Sequence, residues 1–175
     1  MKKLLALSLI SLLNLTPLSA KSNTETLGDI LAVTLPLATY GTTIYNQDKE
    51  GQSQFYKSYG VTIATAVVLK YAIKEERPDK SNNRSFPSGH TASAFAGAGF
   101  IHKHYGLKYA IAPYILATYT GYSRVHSNKH HTHDVIAGAT IAMLSNWYFV
   151  KPYKNLKISP TATNEFQGVK VSYKF

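Results

Sequence analysis

The residues able to do chemistry lie between Lys70 and Asp134, in three short clusters. In order they read KYAIKEERP (70–78), FPSGH (86–90) and SRVHSNKHHTHD (123–134). Among their cations, Lys70, Arg77 and Arg124 stand at the telling places. The clusters also hold a Ser88-Gly89 pair, two separated histidines (His90 and His130), and Asp134 four residues after the second. Cations neutralise the non-bridging oxygens of a phosphoryl group, where most of the stabilisation of phosphoryl transfer originates. Arg offers a planar fork to two such oxygens, and Lys a point charge. That inventory suits holding a phosphate, attacking phosphorus with an imidazole and protonating the leaving oxygen.

Each cluster alone has a plainer reading. Lys70, Lys74 and Arg77 are also what a solvated basic helix end looks like. Pro87-Ser88-Gly89-His90 is also a capped helix start, although Gly admits a close backbone approach and the N–H groups there favour an anion. The third cluster decides the matter. A helix beginning near His130 stacks Asp134 one turn below it. The carboxylate then accepts from one ring nitrogen and leaves the other nitrogen's lone pair free to attack. His130 is the expected nucleophile, Asp134 its orienting partner and His90 the proton donor. Lys70, Arg77, Ser88, Gly89 and Arg124 are the expected phosphate contacts. No metal and no cofactor enter, and vanadate is an expected inhibitor.

Taken in order, K-x6-R-P, P-S-G-H and S-R-x5-H-x3-D resemble the three signature motifs of the type 2 phosphatidic acid phosphatase (PAP2) and vanadium haloperoxidase superfamily. All signature positions are filled: Lys70, Arg77 and Pro78; Pro87, Ser88, Gly89 and His90; Ser123, Arg124, His130 and Asp134. The resemblance implies an all-α core and metal-independent hydrolysis of a phosphomonoester or diphosphate, such as a lipid phosphate or prenyl diphosphate, through a phosphohistidine. A vanadate-dependent haloperoxidase would use the same residues, and a non-catalytic phosphate- or lipid-binding protein is a third reading. His126, His130, His131 and His133 also resemble one histidine box of di-iron oxygenases. Those enzymes need several boxes, and His102 and His104 are too sparse to supply another.

Five helices must position these groups. Apolar spacing predicts them over 27–45, 55–73, 89–102, 107–122 and 130–150, with Pro36 and Pro113 as bends. The loop 74–87 is charged, Asn-rich and bounded by prolines. A stripe of Val135, Ile136, Ala139, Met143 and Trp147 is expected to face the core. Alternation over 156–163 and 168–175 predicts a β-hairpin closing over the bundle. The domain plan is a leader over 1–22, a helical phosphatase domain over 23–155 and an extended tail over 156–175.

The first twenty residues have two lysines, an apolar run and small residues, the pattern of a secretory signal peptide. Cleavage after Ser22 fits better than after Ala20, and an uncleaved anchor is the alternative. The expected location is therefore exported and periplasmic, soluble or membrane-associated. The alternative is an integral inner-membrane protein with a periplasm-facing site. A mean hydropathy of -0.14 and interrupted apolar runs favour the soluble or surface-associated form. With 19 Lys+Arg against 9 Asp+Glu, the chain has a formal charge of +10, which favours anionic partners. No basic run or nucleic-acid motif is present, so a phosphorylated lipid or small phosphoester is the expected partner. Zero cysteines exclude disulfides and thiolate nucleophiles.

Overall fold

The computed structural model describes residues 22–153, 156–162 and 167–173, with side chains over the first of these ranges. The leader expected over 1–22 falls almost wholly outside the described residues. Five helices follow: α1 Asn23–Tyr45, α2 Lys49–Ala72, α3 Gly89–Tyr105, α4 Leu107–His126 and α5 Thr132–Phe149. Strands β1 Leu156–Ala162 and β2 Gln167–Tyr173 pair antiparallel. Within the described backbone these strands meet each other and no helix, so closure over the bundle is not seen.

The helix starts have local causes. Ser22 Oγ accepts from Glu25 N at 3.2 Å and caps α1. Asp48 Oδ1 accepts from Gly51 N at 2.8 Å, so α2 begins six residues before the expected Phe55. Ser88 caps α3, and a reciprocal pair between His131 and Asp134 caps α5. The turn expected over 46–54 shrinks to the few residues between α1 and α2.

α3 is the central helix, packed by each of the other four. Its small side chains make this possible: Ala92, Ala94, Ala96 and Ala98 are buried among their neighbours. Hydroxyls tie the helices together. Ser93 Oγ donates to Ala32 O at 2.6 Å, and Thr39 Oγ1 donates to Gly97 O at 3.2 Å. Asn146 Nδ2 reaches Ala96 O at 3.1 Å. An aromatic layer of Phe55 and Phe100, edge to face at 5.2 Å, closes the end distant from the motifs.

The core is thus built of small and hydroxyl residues, while large apolar side chains point outward. Leu37, Val68, Ile115, Ile136, Leu144 and Trp147 are all exposed. The stripe expected to face the core is accordingly corrected. On α5 the buried residues are Asp134, Gly138, Ala142, Ser145 and Asn146, whereas Ile136 is 61% and Trp147 76% exposed. The close approach of α5 to α3 explains the inversion. A Cβ on Gly138 would collide with Ser88 O and stand 3.2 Å from Ala92 N, so no large residue fits that face.

Candidate active site

One end of the bundle collects the motifs: the starts of α1, α3 and α5, the ends of α2 and α4, and the loop 73–87. Arg124 and Ser123 lie in the last turn of α4, which runs to His126, and not in a loop as the sequence suggests. His130 sits just before α5, whose N-cap is His131.

His130 and Asp134 meet as expected, although the helix starts two residues later than anticipated. Nδ1 of His130 faces Asp134 Oδ2 at 3.4 Å, and both side chains are buried. The same oxygen accepts Ser85 Oγ and the His131 backbone N–H at 2.8 Å. An acceptor-only carboxylate requires a hydrogen on Nδ1, which leaves the Nε2 lone pair available. Burial pushes the His130 imidazole down to about 4; the Asp134 hydrogen bond opposes this, and the Arg77 and Lys70 charges add to it. The ring is neutral at pH 7, as a nucleophile must be.

The cations are differently placed. Arg77 lies in the loop within electrostatic range of Arg124, Asp134 and Glu25. Its Nε is buried without a hydrogen-bond partner among the described residues, so it retains a free donor at the site. Arg124 is almost fully buried. It donates Nη1 to Asp29 Oδ1 at 2.6 Å, Nη2 to Glu25 O at 2.7 Å and Nε to Ser123 Oγ at 3.1 Å. Lys70 acts on His130 by charge, yet its Nζ donates to three backbone carbonyls. These are Arg84 O at 2.9 Å, Ser85 O at 3.3 Å and Pro87 O at 2.8 Å. It holds the loop that delivers Ser85 and the start of α3.

The Ser88 hydroxyl is likewise engaged locally, 2.9 Å from Thr91 Oγ1 and accepting Thr91 N at 3.4 Å. Its backbone N–H donates to Asp134 O at 3.0 Å, joining the second motif to the third. Gly89 faces open space: a Cβ there would meet nothing within 4 Å. That opening lies at the N-terminus of α3, where an anion is favoured. His90, in the first turn of α3, is partly exposed and lies 3.0 Å from Asp29 Oδ1. It joins the remaining motif residues through that carboxylate.

Three contributors carried no sequence signal of function: Glu25, Asp29 and Ser85. Glu25 and Asp29 lie far from the motifs along the chain, and α1 brings them in. A Cβ at Gly28 would collide with Ser123 Oγ and stand 2.8 Å from Arg124 Nη2. Absence of a side chain there lets α1 press onto α4 at the site. The cue was Gly28-Asp29 in the first helix, which spacing alone does not connect to Arg124.

Glu75, His133 and Asp134 place possible metal-ligand atoms within 4.8 Å of one another. His133 Nε2 and Glu75 Oε1 are already paired at 2.6 Å. His131 also lies against Glu75, at 3.9 Å, and stacks on His133.

An imidazole oriented by a carboxylate, with one buried and one half-buried arginine near it and an open helix N-terminus beside it, is an arrangement suited to binding a phosphoryl group. Residues 52–157 match the family model described as the PAP2 superfamily. The lipid A 4'-phosphatase of Helicobacter pylori is 30% identical over 96% of this chain and 94% of its own length. The lipid A 1-phosphatase of Porphyromonas gingivalis is 44% identical, but over 43% of this chain and only 18% of that protein. Lipid phosphate phosphatase 2 of Arabidopsis thaliana is 36% identical over 37% of this chain and 27% of that protein. The crystal structure of Aquifex aeolicus LpxE shares the fold, with a TM-score of 0.53 at 22% identity over 68% of this chain and 82% of that one. The chain belongs to the PAP2 superfamily and is built as one of its phosphatases.

Proposed function

We propose that this protein is a metal-independent lipid-phosphate phosphatase acting through a phosphohistidine on His130. The observation that carries this reading is the buried, neutral His130, held by Asp134 and surrounded by cationic charge from Lys70 and Arg77. Nε2 attacks phosphorus as the leaving P–O bond breaks, and His90 protonates the departing oxygen. Water then attacks the phosphohistidine, giving its proton to His90 and freeing His130. Arg77, with its unpartnered Nε, and Arg124 stabilise charge on the transferring group. Lys70 contributes charge and holds the loop.

A lipid substrate and a membrane setting have separate support. The relatives named above act, by their names, on lipid A or lipid phosphates. α1 is long and apolar enough to cross a membrane. More telling is the inverted distribution of side chains, small and hydroxyl residues inside and Leu, Ile, Val and Trp outside. Water penalises such an exterior, whereas lipid does not, and small residues are what let helices pack closely in a bilayer. We place the bundle in the membrane with the motif end at one face, on the exported side. This favours the integral arrangement over the soluble one expected from mean hydropathy.

The test is phosphate release by the purified chain from lipid A phosphates, phosphatidic acid, a prenyl diphosphate and soluble monoesters, with and without detergent micelles. Micellar lipid phosphates are expected to turn over fastest, and His130→Ala to abolish release from all of them. Equal rates on soluble monoesters would remove the lipid assignment. Release that survives His130→Ala would remove the mechanism.

A further inference from the structure

We propose that Asp29 is a positioning residue for the proton donor, accepting from His90 Nε2 while Arg124 pins the same carboxylate oxygen. This rests on the reading of His90 as general acid and assigns that residue its partner. Two features set His90 in place. It stands in the first turn of α3, at the positive end of the helix dipole. Arg124 lies on the other side of the same Asp29 oxygen: Oδ1 is 2.6 Å from Arg124 Nη1 and 3.0 Å from His90 Nε2. Asp29 is the carboxylate that faces them, and an acceptor-only oxygen at 3.0 Å favours a hydrogen on Nε2.

Asp29 is also fixed in place. Its guanidinium partner is buried and anchored to Glu25 O and Ser123 Oγ, so it has no room to swing away. Gly28 seats α1 directly on Ser123 and Arg124. The site thus contains two His–carboxylate pairs with opposite duties. Asp134 orients the attacking ring, and Asp29 orients the proton-donating one. In the step itself, Nε2 of His130 bonds to phosphorus and the leaving P–O bond breaks. The other ring nitrogen of His90 gives its proton to that oxygen. The N–H electron pair returns to the ring, which is left neutral with Nε2–H still against Asp29. When water attacks, its proton restores the imidazolium.

The test compares kcat/KM for p-nitrophenyl phosphate, phenyl phosphate and decyl phosphate, whose leaving groups need protonation increasingly. The full chain in micelles is used as wild type, Asp29→Asn, His90→Asn and the double variant. General-acid help is worth roughly 10²–10⁴-fold where it is needed. His90→Asn should therefore lose little on the nitrophenyl ester and at least ~100-fold on the decyl ester. Asp29→Asn should follow the same slope at ~10–100-fold on the decyl ester, and the double variant should be no worse than His90→Asn. A merely structural Asp29 would lower all three substrates equally and add to His90→Asn, which would overturn the proposal while leaving His90 as the acid. A flat His90→Asn profile would overturn the general-acid reading and this inference with it. Asp29→Glu keeps the charge Arg124 needs, and it carries the same comparison if Asp29→Asn does not fold.

Discussion

Ser85 Oγ and His130 Nδ1 face the same oxygen of Asp134, the first as a tight hydrogen bond of 2.5 Å and the second at 3.4 Å. The serine therefore helps to hold the carboxylate oxygen that the histidine faces. Asp134→Asn puts an amide where an acceptor is needed and releases the wrong tautomer, so kcat should fall on the order of 10²–10⁴-fold. Ser85→Ala leaves the carboxylate charge and should cost only about tenfold in kcat, with KM nearly unchanged. Steady-state kinetics on both variants checks the order.

The acid limb of kcat/KM should lie near pH 4. His130 attacks only when neutral, and its value is lowered to about 4. Activity should rise as pH increases through that region. Arg77→Met removes a cation that disfavours the imidazolium, so the limb should move up toward the ordinary histidine range. A limb that stays put would show that the Arg77 charge does not set it.

Lys70 should behave as a loop anchor as well as a charge. Its three donors all go to carbonyls of the 84–87 segment. Lys70→Met strands those acceptors and should lower stability by about 1–3 kcal/mol along with activity. Thermal unfolding in micelles measures the first effect and phosphate release the second. An unchanged melting midpoint would count against the anchor.

Gly28→Ala should separate α1 from α4. The added methyl meets Ser123 and Arg124 at distances no side chain tolerates. Vanadate inhibition should weaken at least ~10-fold, because Arg124 loses its seat. Gly41→Ala, where a Cβ would meet nothing within 4 Å, serves as the control.

Trp147 reports on the bilayer, since it is the single tryptophan of the chain. It is exposed near the end of α5 away from the site, with Lys103 Nζ 4.4 Å from its ring centroid. An interfacial tryptophan beside a lysine suits the headgroup boundary. Brominated lipids should quench its fluorescence and aqueous iodide should not. The reverse pattern would return the bundle to water.

The three motifs were legible because holding a phosphoryl group needs particular residue types at fixed spacings, and a carboxylate four residues after a histidine reaches it whether the helix starts at 130 or, as found, at 132. The five helices were legible from apolar period. Which face turns inward was not, because Ala, Gly, Ser and Thr fill the core and periodicity ranks Ile136 and Trp147 above them. Asp29 and Glu25 were invisible because their relation to Arg124 exists only once α1 packs against α4. The engagement of Lys70 with loop carbonyls was hidden for a similar reason: the sequence gives its charge, and the fold decides what the ammonium touches.

The most direct test of the mechanism is to trap the phosphoryl group. Enzyme mixed with phosphorylated substrate and quenched in alkali, which preserves phosphohistidine, should carry one phosphoryl group on the peptide containing His130. The label should appear within the first turnover and be absent from His130→Ala. It should accumulate in a variant slowed in the water step. A full turnover with no phosphoryl group on any histidine, or with the label on His90 instead, would contradict the assignment of His130 as nucleophile.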